Sequence, residues 1–220
     1  MDIMRLLYPR VCPACGKAIP LHRTFCSCSD RSVVRVAPDQ TLIAATDPIQ
    51  LSHLCAPYVY DGVIRQQLLG LKFQHQTKFL KPLAAAMAAQ VSAAFPEVMF
   101  DCVTFVPMTQ DDIRVRSFNQ SALLAQRIAN LFFIPCSAWI EKTKSTPQQH
   151  TLSQAERLQN LESAFQPTQH CIPGSTVILV DDIKTTGTTL FRCCEALRSA
   201  GVHDVYCVCA AVARSPSSDF

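Results

Sequence analysis

Residues 177–189 read Val-Ile-Leu-Val-Asp-Asp-Ile-Lys-Thr-Thr-Gly-Thr-Thr, and this stretch decides the fold. The run from Thr176 to Val180, which contains the first four residues of this stretch, is short, mostly β-branched and apolar after Thr176. Such a run is typical of a strand that is buried on both faces of a parallel sheet. In open α/β sheets the ligand binds beyond the carboxyl ends of the strands. The sequence therefore predicts a binding site at the point where this strand ends.

The residues that follow have the composition of an anion-binding loop. Gly187 permits a close backbone approach or a positive φ, and a helix is expected from Thr188 or Thr189 to Ala200. Backbone N–H groups of the loop and the positive end of that helix would both point at a bound anion. We assign phosphate binding to the following residues: Lys184, Thr185, Thr186, Gly187, Thr188 and Thr189.

Two adjacent carboxylates, Asp181 and Asp182, precede this loop and are called the acidic pair below. Their charges would repel a bare phosphate, so the ligand must also donate hydrogen bonds. A sugar phosphate does so, because its ribose hydroxyls donate to the carboxylates directly or through a divalent cation. The alternative is a strand-to-helix turn whose Asp and Thr residues only cap the helix. The pattern resembles the phosphoribosyl-pyrophosphate (PRPP) signature of type I phosphoribosyltransferases.

Length and charge narrow the class of protein. The chain has 220 residues, which suffices for one α/β domain and a small appendage. It has no apolar run near the roughly 20 residues that span a bilayer, and its start lacks the apolar core of a secretory signal, so a cytoplasmic protein is predicted. Residues 1–36 hold six Lys/Arg against two Asp, whereas the whole chain carries only +3. This basic segment suits an anionic partner such as nucleic acid or lipid headgroups, or it is a solvated surface.

Four of the 12 cysteines cluster near the N-terminus: Cys12, Cys15, Cys26 and Cys28. Thiolates at this spacing, in a segment too polar to form its own core, predict a structural Zn²⁺ site. A Cys-x-Cys pair is a poorer clamp than Cys-x-x-Cys, so Cys55 or His22 remains an alternative ligand to Cys26 or Cys28. Free or redox-active thiols are the other interpretation. The remaining cysteines are scattered over predicted strands and a helix and are expected to be small buried hydrophobes.

Three segments are predicted along the chain: a cysteine-rich zinc-binding module at residues 1–36, a linker at 37–53 and an α/β domain at 54–214. The linker lacks periodicity and contains Pro38 and Pro48. Hydrophobic periodicity then predicts strands at residues 54–61, 101–106, 133–140, 176–180 and 202–212, and helices at 63–71, 79–95, 119–131 and 188–200, with Gly201 as the C-terminal cap. Strands that alternate with helices favour an α/β fold with a mainly parallel sheet.

A second motif follows strand 101–106 and reads Arg114-Val-Arg116-Ser-Phe118-Asn119-Gln120. It resembles the Arg-Gly-Phe-Asn-Gln element of the competence ComF family, also called GntX-like proteins, with Ser117 in the glycine position. Serine makes a turn at that position less freely than glycine does. Two guanidiniums at the carboxyl end of a strand can fork onto phosphates, and the alternative is a pair of solvated loop cations. The candidate ligand contacts are Arg114, Arg116, Asn119 and Gln120.

Two further stretches carry the same resemblance. The polar run from Lys142 to Asn160 is similar to that family's Arg-x-Arg-x-Thr-x-x-Gln-x-x-Leu-Ser-x-x-x-Arg-x-x-Asn run, with lysine at its first two basic positions. A polar loop this long predicts a lid over the sugar, the alternative being a disordered insertion. Leu71-Lys72-Phe73 resembles the family's Leu-Lys-Tyr/Phe element. The candidate ligand contacts here are Lys72, Lys142, Lys144, Gln149 and Arg157.

The resemblance implies a type I phosphoribosyltransferase fold, a mainly parallel sheet flanked by helices, with a small N-terminal zinc-ribbon-like module. It implies binding of PRPP or ribose 5-phosphate with Mg²⁺, and Asp181 and Asp182 would be the catalytic residues if the domain is an active pentosyl transferase. It also implies a role in natural transformation, the handling of incoming single-stranded DNA at the cytoplasmic side, with a helicase and the inner-membrane channel as partners. The alternative is a metabolic phosphoribosyltransferase, either amidophosphoribosyltransferase-like or a nucleobase-salvage enzyme. Catalysis stays open here, because no segment identifies a pocket for an acceptor.

Overall fold

The computed structural model describes residues 18–19, 33–38, 51, 53–74, 76–143 and 164–213. The predicted zinc-binding module and linker lie almost wholly outside the described residues, as does most of the predicted lid. The helices are α1 (Gly62–Phe73), α2 (Leu80–Ala94), α3 (Gln110–Arg116), α4 (Gln120–Phe132) and α5 (Thr188–Ser199), with a 3-10 turn at Thr77–Phe79. The strands are β1 (Leu54–Cys55), β2 (Tyr58–Val59), β3 (Cys102–Phe105), β4 (Ile140–Lys142), β5 (Phe165–Pro167), β6 (Thr176–Lys184) and β7 (Asp204–Val212).

The main sheet is parallel, as the sequence predicts. Its strands lie in the order β1, β7, β6, β3, and β2 also pairs with β7. Strand β6 occupies the middle, where Val180 stands opposite Phe105 of β3 on one side and Val208 of β7 on the other. A central strand has hydrogen-bonded neighbours on both sides and, where both of its faces are covered, as at residues 177–180, its residues are apolar.

Each face of the sheet packs against its own layer. Alternate residues of β6 point to opposite faces, so Ile178 and Val180 join one core cluster while Val177 and Leu179 join the other. The first cluster is completed mainly by α1, α2 and α4, and the second by α5 and by residues around β4 and β5. The apolar run that opens the decisive stretch is therefore buried between two layers, as predicted.

Some element boundaries differ from the prediction. Strand β6 does not end at Val180 but continues to Lys184, because its pairing with β7 extends to Val212. Predicted strand 54–61 is split into β1 and β2, and predicted strand 133–140 is reduced to a bridge between Cys136 and Val103. Strands β4 and β5 form a separate antiparallel pair that the sequence did not predict. These differences arise from pairing between distant segments.

Helix α3 was also not predicted, and it has no buried residue. The helix depends on its ends instead. Thr109 caps the N-terminus by accepting from the Asp112 N–H, two aspartates stand in the first turn, and two arginines stand in the last turn. A helix that is stabilised by its cap and by charges at its ends needs no hydrophobic periodicity, so the sequence pattern did not predict it.

The helix that follows the decisive stretch behaves as predicted. Helix α5 begins at Thr188, and Gly201 follows its C-terminal cap with φ +83°. The N–H groups of Gly201 and Val202 donate to the carbonyls of Arg198 and Leu197, the pattern of a Schellman motif. Within the described residues, no helix is both long and apolar enough to cross a bilayer.

Candidate functional site

The candidate site lies where the carboxyl ends of β3 and β6 meet the N-terminal ends of α4 and α5. The Val106 N–H donates to the Val180 carbonyl over 3.0 Å, which holds the two strand ends together. Asn119 connects them to α4: its Nδ2 donates to the Val106 carbonyl over 3.0 Å, and its Oδ1 accepts from the Ala122 N–H over 3.2 Å. Asn119 was predicted to bind the ligand, but here its amide caps α4 and anchors that helix to the end of β3.

The neighbouring serine positions one member of the acidic pair. Ser121 Oγ donates to Asp181 Oδ1 over 3.0 Å, and the Asp182 N–H donates to the same oxygen over 2.8 Å. The sequence analysis did not predict a role for Ser121, and its position directly after the Asn119-Gln120 motif is the signal that could have found it. The two hydrogen bonds fix the Asp181 carboxylate, and within the described part of the chain they leave its Oδ2 atom for another partner.

The charge state of Asp181 follows from its surroundings. Burial, and after it the charge of Asp182, raises the pKa of Asp181 to about 7 against the opposing effects of its two hydrogen bonds and the Lys72 ammonium. Lys72, predicted as a ligand contact, thus lies near enough to act on the acidic pair. Near pH 7 the Asp181 carboxyl is only partly ionised, so a bound cation or a hydrogen-bond donor would complete its ionisation.

The loop after the acidic pair has the predicted backbone. Gly187 is buried, has φ +82° and forms the N-cap of α5. A Cβ atom at this position would lie 3.3 Å from Lys184 Cε, so both the conformation and the space favour glycine. Thr186 and Thr188 share a hydrogen bond of 3.0 Å between their hydroxyls across the turn. Since Gly187 has no side chain, it contributes no acceptor to the first turn of α5, a role that an anion can take.

The two arginines of the second predicted anion-binding segment have different surroundings in the structure. The guanidinium carbon of Arg116 lies 5.9 Å from the centre of the ring of Phe73, the residue that follows Lys72. Arg114 instead forms an exposed ion pair of 3.2 Å with Asp111 on the surface of α3. Ser117 has φ +67°, the left-handed conformation that glycine adopts freely. The turn expected from the motif is therefore present, although serine occupies it.

Lys142, predicted as part of the lid, lies on β4. Its Nζ is 3.9 Å from Asp112 Oδ2, and the Asp112 carboxylate also accepts from the Thr109 hydroxyl. Burial alone would raise the pKa of Asp112, but the hydrogen bonds from Thr109 and the charge of Lys142 together lower it below its usual value. This ion pair connects β4 to α3, so Lys142 has a structural partner beside the site.

Gln120, another predicted contact, has its side chain buried with 2 % exposure. Its Nε2 atom has no hydrogen-bond partner within the described part of the chain. A buried amide nitrogen without an acceptor costs about 1–3 kcal/mol. An acceptor supplied by a ligand or water would remove that cost.

Several predictions fall outside the described residues and stay predictions: Lys144, Gln149, Arg157, Cys12, Cys15, Cys26 and Cys28. Cys55, the alternative zinc ligand, does lie within them, on β1 in the core. Burial raises the pKa of its thiol to about 12. Most of the other described cysteines are buried, as predicted, while Cys136 and Cys171 are half-buried.

The parallel sheet is flanked by helices, with the acidic pair near the carboxyl end of β6 and the glycine loop before α5. This is the phosphoribosyltransferase fold that the sequence predicts. Residues 118–219 match the family model of the phosphoribosyl transferase domain. The crystal structure of an adenine phosphoribosyltransferase matches 66 % of this chain and 75 % of its own, with 20 % identity and a TM-score of 0.45.

Two relatives match over most of their length. The DNA utilization protein YhgH of Escherichia coli K12 is 27 % identical over 207 residues, which are 90 % of this chain and 83 % of that protein. The competence protein ComFC of Bacillus subtilis is 25 % identical over 191 residues, which are 87 % of this chain and 72 % of that protein. Both relatives support the resemblance to the ComF family that the sequence motifs indicate, and residues 118–219 are similar to the phosphoribosyl transferase domain.

Proposed function

We propose that this protein binds PRPP or ribose 5-phosphate and serves natural transformation by handling incoming single-stranded DNA at the cytoplasmic side. The observation that carries the ligand is the acidic pair near the end of β6, in which two hydrogen bonds fix the Asp181 carboxylate, followed by the Gly187 loop at the N-terminus of α5. The process is supported by the names of the relatives, one a DNA utilization protein and one a competence protein.

Each part of the ligand has a counterpart in the site. The 5-phosphate would take the N-terminus of α5, where backbone N–H groups and the helix dipole favour an anion. The ribose hydroxyls would donate to Asp181 and Asp182, and the pyrophosphate would meet the cations Lys72 and Arg116. Arg114 would contribute only if it left its exposed partner Asp111, which costs little because such pairs contribute about 0–1 kcal/mol.

The acidic pair also fits Mg²⁺. Asp181 Oδ1 already accepts two hydrogen bonds, so Oδ2 and the Asp182 carboxylate are the oxygens that would hold the ion. No group of three or more His, Cys, Asp or Glu suited to a metal occurs among the described residues. Mg²⁺ characteristically takes one or two carboxylates together with phosphate oxygens of the substrate. The ion would bring charge neutralisation to the pyrophosphate and would bind together with the ligand.

Titration calorimetry with PRPP, with and without Mg²⁺, tests the ligand. The full-length protein should bind PRPP, and an Asp181→Asn/Asp182→Asn double variant should lose the heat of binding. Glu97→Gln is the matched control, because this exposed glutamate lies between α2 and the amino end of β3, at the edge of the sheet opposite the acidic pair. Equal PRPP affinity in the wild type and the double variant would refute the proposed site.

The metabolic alternative predicts turnover and not only binding. Pyrophosphate release from PRPP should then occur with ammonia, glutamine or a free nucleobase, and it should disappear in the Asp181→Asn/Asp182→Asn variant. A protein that binds PRPP and releases no pyrophosphate with these acceptors would favour the binding role. Robust turnover with one of them would make the chain a metabolic transferase.

The N-terminal residues complete the proposal. Cys12, Cys15, Cys26 and Cys28 would hold a structural Zn²⁺, and the basic residues around them would contact DNA, beside a helicase and the inner-membrane channel. Elemental analysis of protein purified without chelators should find about one zinc per chain, and less than about half would contradict the site. Single-strand affinity should fall with salt and fall further when Arg5, Arg10 and Arg23 are replaced by Ala.

A further inference from the structure

An exposed aromatic ring stands at the end of α1, beside the candidate site. Phe73 is 60 % exposed, whereas Ile64, Leu68 and Leu71 of the same helix are buried in the core. The ring therefore contributes little to packing. An aromatic side chain left in water at a helix end is a candidate contact for a ligand with an apolar face.

Two cations flank this ring. Lys72 Nζ and Arg116 Cζ each lie 5.9 Å from the centre of the Phe73 ring. That distance is near the outer limit of about 6 Å for cation–π attraction, and exposed pairs of this kind contribute only about 0.5–1 kcal/mol. The cations thus hold the ring weakly, and most of its surface stays open to solvent.

The same two cations connect the ring to the acidic pair. The Lys72 ammonium acts electrostatically on Asp181. Arg116 ends α3, and residues 117–119 separate it from α4, whose Ser121 donates to Asp181. A ligand with its sugar at the acidic pair therefore has an exposed aromatic ring and two cations close to it.

We infer that Phe73 is a stacking surface for a nucleobase and that Lys72 and Arg116, the cations proposed for the pyrophosphate of PRPP, bind the phosphate attached to that base when PRPP is absent. The inference deepens the proposed function and rests on it for the site. Every base has a π-face, so a base of any identity can stack on an aromatic ring. Cations beside the ring can bind the phosphates of the same strand. We expect the ligand to be a single strand, while a free nucleotide has the same chemistry.

Fluorescence anisotropy with two labelled strands of equal length tests the stacking. One strand is oligothymidylate and the other is an abasic strand with the same number of phosphates. In the full-length protein, Phe73→Ala and Phe73→Leu should weaken binding of oligothymidylate by about 5- to 100-fold, as expected for the loss of one stacked base. Both variants should bind the abasic strand as the wild type does, since the phosphate contacts remain.

A tryptophan variant gives a signal that a purely structural role would not produce. Phe73→Trp should retain affinity, and its fluorescence should be quenched by oligothymidylate and not by the abasic strand. Trp139 is the only tryptophan of the natural chain and is 2 % exposed, so it contributes a constant background. Quenching by thymidine monophosphate at a similar affinity would support the stacking surface and identify a free nucleotide as its ligand.

Two results would overturn the inference. One is unchanged oligothymidylate affinity in Phe73→Ala, and the other is an equal loss of affinity for both strands, which would assign the ring to the support of its cations. PRPP binding, measured by calorimetry on the same variants, separates this inference from the proposed function and should be unchanged. If the wild type failed to bind PRPP but still distinguished the two strands through Phe73, the stacking surface would stand and the proposed sugar ligand would fall.

Discussion

Replacing Asp181 with asparagine should stabilise the ligand-free protein at pH 8 while abolishing PRPP binding. Burial and the neighbouring Asp182 raise the pKa of Asp181 from 3.8 to about 7. Between these two values the folded state binds more protons than the unfolded state, so the free energy of unfolding falls as pH rises through this range. Above pH 7 the wild type holds an unfavourable charge in the site, whereas the amide of the Asp181→Asn variant stays neutral.

The magnitude follows from the same numbers. The difference between 3.8 and about 7 corresponds to about 4 kcal/mol at the limit of full burial. Because Asp181 is half-buried, water screens part of this, and we expect a gain of about 1–2 kcal/mol at pH 8. Asparagine keeps an Oδ1 acceptor for Ser121 and for the Asp182 N–H, so the two hydrogen bonds of the carboxylate survive the change.

Urea unfolding followed by the fluorescence of the buried Trp139 measures the effect. The gain in unfolding free energy should be largest at pH 8 and shrink several-fold by pH 4.5, where the wild-type carboxyl is protonated in the folded state. Glu97→Gln at an exposed position outside the helices and strands is the control, and its effect should be small and show no such trend. A destabilised Asp181→Asn protein at pH 8, or a gain independent of pH, would refute the reasoning about burial of this charge.

Three further predictions concern the site and its turns. PRPP affinity should rise with pH up to about 7 and level off above it, because Asp181 must ionise to accept ribose hydroxyls, and a flat calorimetric profile from pH 5.5 to 8.5 would contradict this. Ser117→Gly should raise the free energy of unfolding by about 0.5–1 kcal/mol by relieving φ +67°, whereas Ser92→Gly at an exposed position of helix α2 should lower it by about 0.5 kcal/mol. Gly187→Ala should cost about 1–2 kcal/mol in urea unfolding and weaken PRPP binding, since φ is +82° and the new Cβ would lie 3.3 Å from Lys184 Cε; unchanged binding would remove this loop from the site.

Much of the fold could be predicted because the required information is local. The apolar run of β6, the glycine at φ +82° and the helix that ends before Gly201 each depend on neighbours within a few residues. The parallel sheet follows as well, because strands buried on both faces alternate with amphipathic helices. The α3 helix was missed because capping and end charges stabilise it without any buried side chain.

Other features depended on contacts across the chain. Strand β6 runs through the acidic pair to Lys184 only because β7 continues beside it to Val212. The role of Asn119 as a cap and anchor requires the end of β3, 13 residues earlier in the chain. Periodicity within one segment reports which face is buried and carries no information about the partner that covers it.

By itself, the sequence predicted the ligand class of this protein, because a paired acid, a glycine loop and a helix start follow one another in 13 residues. Only the tertiary structure decided the hydrogen bonds and the pKa of Asp181 in that site. Ser121 lies 60 residues from Asp181 in the chain and yet donates to it, and Lys72 acts on it from a third segment. The pKa of a carboxyl depends on the groups and the water around it, and folding alone assembles those surroundings.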